Sequence, residues 1–262
     1  MSPAKKEPEI DTVPPPRENP DLFGHETAER ELLDAFNSGR MSHAWLICGP
    51  RGIGKATLAF RFARFVLSQG AGGGGNDLFA GDAGASAPDG LFISPESSIF
   101  RRVAAQGHAD MITVERGVSD TGQRKPRTEI VVSDVRRIGP FLSMTPAEGG
   151  WRVVIIDGAD IMNPSAMNAV LKVLEEPPQQ SLLLLVCHNP GKLLPTVRSR
   201  CRMLNMNPLP PATVETLLGR FAPEIAPADT AALAQLSEGS IGRALTLAEE
   251  GGLELYRDLM AL

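Results

Sequence analysis

A strand–loop–helix segment near the amino end constrains the fold of this chain more than any other feature. It reads HAWLICGPRGIGKATLAF over residues 43–60: a short apolar strand, a glycine loop, and then apolar residues at helical spacing. The loop fits the phosphate-binding pattern G-x-x-x-x-G-K in the strand-to-helix context that the pattern requires. Glycines let backbone N–H groups curl around phosphate oxygens, and the helix N-terminus adds its positive end. The segment therefore predicts a nucleotide-binding loop, with these cofactor-binding residues: Gly49, Gly52, Gly54, Lys55 and Thr57.

The residue after the loop lysine departs from this pattern, because Ala56 stands where such loops keep a hydroxyl. A methyl group cannot ligate Mg²⁺, and Thr57 lies about 100° further round the helix. We therefore expect the loop to hold phosphate better than it handles metal. A simple glycine turn between strand and helix is the alternative.

Two continuous apolar runs predict central strands of a parallel sheet. They are WRVVIID at residues 151–157 and SLLLLVC at residues 181–187, and strands buried on both faces have this composition. Asn163 and Pro164 then predict a helix start. The segment 128–144 predicts a further strand and a helix capped by Ser133 or Asp134. Strands that alternate with helices predict a doubly wound α/β fold.

Composition along the chain predicts its organisation. Residues 1–20 are rich in proline and charge and predict a flexible arm, whereas residues 21–207 carry the α/β pattern. Residues 70–90 are mostly glycine, alanine and aspartate, which predicts a surface insertion. Residues 208–262 show helical spacing without a convincing strand and predict a small helical lid domain.

The acid that ends the first apolar run is the second site candidate. Asp157 closes a buried strand, as does the carboxylate that helps hold the metal in nucleotide-hydrolysing folds. Relatives that hydrolyse nucleotide place a glutamate next to it, but Gly158 stands there. Asp160 is close in sequence, and its offset along the chain predicts that it points elsewhere.

Charge and cysteine content exclude several classes of protein. The net charge of −5 argues against a protein that coats nucleic acid by global attraction. The first 20 residues have no apolar stretch of the kind a secretory signal needs, and no run approaches the length of a membrane span. The three cysteines are far apart in sequence, so we expect a reduced cytoplasmic protein without disulfides or zinc.

Two further motifs carry a resemblance to a known family. The segment NAVLKVLEEPP at residues 168–178, followed by Ser199-Arg200-Cys201, resembles the clamp-loader AAA+ proteins of bacterial DNA polymerase III. The resemblance implies an AAA+ P-loop NTPase-like sheet domain with a helical lid. It also implies that Arg200 acts in trans, as an arginine finger in a neighbouring subunit's ATP site, within a catalytic motif that includes Ser199 and Cys201. An arginine finger contributes about 10³–10⁵ in rate.

A motif in the predicted lid narrows the resemblance to one branch of the family. At residues 239–242 the chain reads GSIG, whereas hydrolysing clamp-loader subunits typically have arginine at the fourth position. This version is similar to the delta-prime branch of the family, which often carries a four-cysteine zinc module. The corresponding region here has no cysteine, and we expect His108 to be structural. The resemblance covers residues 20–262 and implies a third, collar domain beyond them.

The sequence is compatible with three functions. The leading hypothesis is a non-hydrolysing subunit that needs no cofactor, binds ATP or ADP weakly at most, and works within the polymerase holoenzyme. Its implied partners are gamma/tau and delta subunits in a hetero-oligomeric ring, with the sliding clamp and primer-template DNA reached through that ring. The rival is an active gamma/tau-like ATPase in which Thr57 and Asp160 replace the missing groups. A third is a DNA-binding module that uses the basic stretches at residues 101–108 and 122–127.

Overall fold

The structure of the chain is a computed structural model that describes residues 13–71, 87–117 and 127–253. These residues divide into two compact units. The sheet unit comprises residues 16–50, 54–71, 87–117 and 127–206, and the helical unit comprises residues 13–15, 51–53 and 207–253. No helix in the described ranges has both the length and the apolar character needed to cross a membrane.

Five parallel strands form the sheet of the first unit, in the order β2-β3-β4-β1-β5. β1 and β4 are buried at every position, as their continuous apolar sequences predict. Because all five strands are parallel, the residues that follow them meet at one edge of the sheet. The strands are β1 (Ala44–Cys48), β2 (Met111–Val114), β3 (Arg152–Asp157), β4 (Ser181–Cys187) and β5 (Arg202–Asn205).

Helices connect the strands of the sheet unit. α6 begins at a proline, and the side chain of Asn163 caps it by accepting the Ala166 N–H at 2.9 Å. The helices are α1 (Glu26–Asn37), α2 (Lys55–Ala71), α3 (Ser98–Ala104), α4 (Val132–Val135), α5 (Ile138–Ser143), α6 (Pro164–Glu175) and α7 (Pro195–Arg198), with 3₁₀ turns at Ala159–Ile161 and Pro190–Lys192.

Both faces of the sheet are covered, which confirms the predicted doubly wound α/β fold. On one face, alternate strand residues such as Leu46, Val154 and Leu185 form a core with residues of α4, α5 and α6. The intervening residues are buried on the other face, where α2 contacts β1, β3 and β4. This double burial is the reason that the strands carry no polar alternation.

The helical unit contains α8 (Pro211–Phe221), α9 (Pro227–Leu236) and α10 (Ile241–Glu249). Each of the three helices contacts the other two. Their facing residues form a small apolar core that includes Val214, Leu217, Leu218, Leu233 and Ala244.

The end of the predicted flexible arm makes hydrogen bonds with α2. The buried guanidinium of Arg64 donates to the carbonyl oxygens of Arg17 and Asn19 at 3.0 and 2.8 Å, and Arg61 donates to that of Pro20 at 2.6 Å. Residues 17–20 are thus attached to α2. Residues 1–12 of the predicted arm lie outside the described residues.

Two other predictions change in the structure. The strand expected within residues 128–144 is reduced to a single bridge at Ile130, and α4 already begins at Val132. Asp134 therefore lies inside the first turn, where its carboxylate accepts the Val131 N–H at 2.9 Å. Most of the predicted insertion at residues 70–90 lies outside the described residues, but residues 70 and 71 still belong to α2.

Candidate functional site

The glycine loop connects β1 directly to α2, as the sequence predicts. Gly52 and Gly54 have φ angles of 72° and 101°, a region that residues with a side chain rarely adopt. The loop therefore requires glycine at these two positions for its backbone path. The first turn of α2, with its unpaired N–H groups, opens immediately after it.

The loop lysine is buried at the start of α2. Lys55 is only 3% exposed, and its ammonium group donates to the carbonyl oxygen of Pro50. Burial lowers its pKa to about 8, although the carboxylates of Asp157 and Asp160 act in the opposite direction. The loop thus holds a cationic donor in a poorly solvated position, which favours binding of an anionic group.

The structure brings the predicted metal-site acid to the same edge of the sheet. Asp157 ends β3 and lies level with Val186 of β4, which in turn lies level with Ile47 of β1. Burial raises the pKa of Asp157, and the nearby Glu115 carboxylate raises it further. Thr57 is 8% exposed in the first turn of α2.

Gly158 occupies the position of the missing glutamate in a backbone conformation that suits glycine. Its φ angle is 91°, and a Cβ atom there would lie 3.0 Å from the side chain of Ile161. A glutamate at this position would strain the backbone and crowd the following 3₁₀ turn. The backbone conformation at position 158 thus disfavours a residue that carries a water-orienting carboxylate.

Asp160 is bonded to the turn after β4. Its two carboxylate oxygens accept the backbone N–H groups of His188 and Asn189 at 3.0 and 3.2 Å. The side chain is buried and fastens the turn after β4. Both of its carboxylate oxygens are thus used to hold this turn.

In the helical unit, residues 51–53 of the loop are bonded to the first turn of α10. Ser240 Oγ donates to the Arg51 carbonyl oxygen at 2.8 Å and accepts the Arg243 N–H at 3.1 Å. The Gly242 N–H donates to the Gly52 carbonyl oxygen at 3.1 Å, and a Cβ atom on Gly242 would lie 3.0 Å from the Gly52 Cα. Glycine at 242 thus permits a close backbone contact in addition to lacking the arginine of hydrolysing relatives.

Two cysteines that are far apart in sequence lie side by side at the end of the sheet next to the glycine loop. Cys48 and Cys187 end β1 and β4 in register, and both thiols are free and buried. The hydrogen bond between them lowers the pKa of Cys48 and raises that of Cys187. No pattern in the sequence predicts this pair, because only the order and register of the strands bring the two cysteines together.

Arg200 lies at the opposite end of the sheet from the loop. It precedes β5 by two residues, and β5 begins level with Trp45 near the start of β1. Trp45 and Cys48 are separated by about 10 Å along the strand, and the glycine loop begins only beyond Cys48. The Arg200 side chain is 35% exposed, and its guanidinium contacts Glu175 and the Thr196 carbonyl oxygen.

The two residues beside Arg200 anchor its loop. Ser199 Oγ donates to the Thr196 carbonyl oxygen at 3.2 Å. Cys201 packs against the apolar core, and burial raises the pKa of its thiol to about 12. Glu175 was not predicted as a site residue from the sequence, although it lies in the motif at residues 168–178.

The chain is similar in sequence to subunits of DNA polymerase III. The sequence matches the family described as DNA polymerase III, delta subunit, over residues 24–210. A delta-prime subunit of DNA polymerase III from Pseudomonas aeruginosa is 36% identical over 200 residues, which are 76% of this chain and 53% of that protein. A gamma/tau subunit from Mycobacterium bovis is 30% identical over 201 residues, which are 77% of this chain and 30% of that protein. This chain therefore matches about half, or less, of the length of these relatives.

The structural comparison concerns the fold alone. The RuvB Holliday junction branch migration motor of Thermotoga maritima aligns with a TM-score of 0.52 and 17% identity, over 90% of this chain and 65% of that chain. The α/β P-loop NTPase fold predicted from the glycine loop and the apolar strands is thus confirmed.

Proposed function

This chain belongs to the DNA polymerase III delta subunit family, and on that premise we propose that it is a delta-prime-like clamp-loader subunit. In this proposal it does not hydrolyse ATP itself, and it supplies Arg200 to the ATP site of a neighbouring subunit. The observation that carries the proposal is the position of Arg200 at the end of the sheet opposite the chain's own glycine loop. An arginine placed there lies about 10 Å or more along the strands from the chain's own loop, and in this proposal it serves another chain's nucleotide.

The chemistry suits this role. A guanidinium group is planar, always charged, and presents a fork of donors that matches phosphate oxygens. Placed against a transferring phosphoryl group, it stabilises the charge that develops in the transition state. The partial exposure of Arg200 leaves its group accessible to a partner.

Three positions support the absence of hydrolysis in the chain's own site. Ala56 offers no hydroxyl for the metal, and Gly158 lacks a carboxylate in a backbone conformation that disfavours one. Gly242 replaces the lid arginine and packs closely on Gly52. Lys55 is kept, so the proposal includes weak binding of ATP or ADP without turnover.

The proposed partners follow from the family. We place the chain in the cytoplasm, in a hetero-oligomeric ring with gamma/tau and delta subunits, where it reaches the sliding clamp and primer-template DNA through the assembled complex. A DNA-binding module is less favoured, because Arg102 of the first basic stretch is paired with Glu148 and His108 is buried.

The first prediction concerns the proposed role of Arg200 as an arginine finger. Arg200→Ala should leave the unfolding transition unchanged and lower the clamp- and DNA-stimulated ATPase rate of the reconstituted complex about tenfold or more. The full contribution of a finger is about 10³–10⁵, and a tenfold loss in the whole complex requires that its ATP sites act in one coupled cycle, since independent sites would keep most of the rate. Arg200→Lys keeps the charge without the fork and should restore only part of the rate.

Lys192→Ala provides a matched control, since Lys192 is an exposed cation in the preceding 3₁₀ turn. It should leave the stimulated rate unchanged. An Arg200→Ala complex that is as active as wild type would contradict the finger assignment.

The second prediction separates this proposal from the rival motor. The purified chain should show no ATPase above background with Mg²⁺, because Ala56 and Gly158 supply neither metal ligand nor water-orienting group. A calorimetric titration with ADP, with and without Mg²⁺, should detect weak binding that depends little on the metal. Turnover by the isolated chain that Lys55→Ala abolishes would support the gamma/tau-like motor instead.

A further inference from the structure

We propose that Glu175 is a positioning residue for the Arg200 finger. The inference rests on the proposed function, since it concerns how the same guanidinium is held for a neighbouring subunit. Glu175 is the last residue of α6, and Arg200 lies 25 residues further along the chain, just after α7.

Two contacts from different elements hold the guanidinium group. Its Nη2 lies 2.9 Å from Glu175 Oε1, and its Nη1 donates to the Thr196 carbonyl oxygen at 3.0 Å. One contact comes from the end of α6 and the other from α7. Together they fix the plane of the fork, which a single contact to a flexible side chain leaves free to rotate.

These two contacts leave N–H donors of the Arg200 guanidinium available to bind a phosphate group. A guanidinium group has five N–H donors, and these two contacts use one from each terminal nitrogen. The side chain of Arg200 remains 35% exposed while it is held. Glu175 thus orients the group without occupying the whole fork.

The location of Glu175 favours a role beyond helix stability. A carboxylate in the last turn of a helix faces the negative end of the helix dipole, which disfavours it. Glu175 stands at that end of α6, where a neutral or basic residue would stabilise the helix better. Its pairing with Arg200 provides the physical reason for a glutamate here.

The chain supplies its own matched control. Glu176 follows directly and is exposed like Glu175, but it makes no side-chain hydrogen bond or ion pair within the described residues. Replacing either glutamate by glutamine removes one charge at nearly constant shape. Any effect that is specific to Glu175 therefore reports on its contact with Arg200.

The test uses the reconstituted complex with the full chain, and measures kcat and KM for ATP in the clamp- and DNA-stimulated reaction. Glu175→Gln should lower kcat about three- to tenfold, the range expected when a positioned group loses one charged contact, with KM little changed. Glu175→Asp should recover most of the rate, and Glu176→Gln should behave as wild type. On an Arg200→Ala background, Glu175→Gln should have no further effect, because the group that it positions is gone.

Three results would overturn the inference. The first is a Glu175→Gln complex with wild-type kcat. The second is a Glu175→Gln complex with a higher kcat than wild type, which would mean that the carboxylate holds Arg200 back from the ATP site. The third is a loss from Glu175→Gln that adds in full to the loss from Arg200→Ala. If Arg200→Ala lowers the rate and Glu175→Gln does not, the finger stands and only the positioning role fails. If Arg200→Ala has no effect, the proposed function itself fails.

Discussion

Lys55 shows at the scale of a single residue what burial in the glycine loop does to a cation. Its ammonium group is almost fully buried and donates to a carbonyl oxygen of its own loop. Removing a cation from water disfavours the charged form, which is why its pKa falls to about 8. The loop therefore retains a lysine at a cost in stability, and an anion bound beside it would offset that cost.

The third prediction follows from this pKa. Below pH 8 both the folded and the unfolded chain carry the proton, so the burial cost is fully present. Between pH 8 and about 10.5 the folded state loses its proton first, and the stability of the wild type rises with pH. Lys55→Met should therefore raise the free energy of unfolding by about 1–3 kcal/mol at pH 7, and by less at pH 9.5.

Urea unfolding at the two pH values measures this difference. Lys192→Met serves as the control, since Lys192 is exposed. Its replacement should not raise the free energy of unfolding at pH 7 relative to pH 9.5. A Lys55→Met chain that is less stable than wild type at pH 7 would show that the contact with Pro50 outweighs the burial cost.

At the scale of an element, the first turn of α10 depends on glycine for a reason other than flexibility. The backbone of Gly242 approaches that of Gly52 so closely that a Cβ atom would lie 3.0 Å from the Gly52 Cα. Ser240 caps the same turn and bonds to Arg51. The turn is thus shaped to fit the tip of the glycine loop within the helical unit.

The fourth prediction compares two helix glycines. Gly219 lies in α8 with nothing within 4 Å of its added Cβ, so Gly219→Ala should stabilise the chain by about 0.5–1 kcal/mol through reduced backbone entropy. Gly242→Ala should instead destabilise it by about 1–2 kcal/mol, because the added methyl group overpacks the contact with Gly52. Thermal and urea unfolding of both variants measure the difference, and equal gains would show that the close contact has no energetic weight.

At the scale of the whole molecule, one parallel sheet carries two kinds of site at its two ends. The glycine loop and Asp157 lie at the carboxyl ends of the strands, and Arg200 lies beside the amino ends. α6 begins after β3 and ends at Glu175 before β4, so it runs back from the first end to the second. The sheet unit therefore presents the glycine-loop end of its strands and Arg200 on separate surfaces.

A polar network holds the outer part of this unit together. The buried Asp110 accepts the backbone N–H groups of Ala147 and Glu148 at 2.8 and 3.0 Å and pairs with the buried Arg152 at 3.3 Å. Arg102 of α3 pairs with Glu148. The network thus links the segment before β2 to the start of β3, and no pattern in the sequence predicted it.

The sequence by itself determined the central strands of the sheet and the glycine loop that follows the first of them. Continuous apolar runs require strands buried on both faces, and a glycine loop between a strand and a helix requires positive φ angles that the structure shows at Gly52 and Gly54. These inferences succeed because they depend on spacing and burial over a few consecutive residues. The strand predicted near Ile130 was wrong in extent, because a hydrogen-bonded bridge to a distant residue decided it.

Only the tertiary structure decided which side chains meet. It placed Arg200 against Glu175, 25 residues away, and Ser240 on Arg51, 189 residues away. It also brought Cys48 into register with Cys187, and turned Asp160 toward the loop after β4. Such partners depend on strand order, register and helix direction, which local sequence patterns do not encode. The motifs thus identified the arginine, and the fold decided what holds it and which end of the sheet presents it.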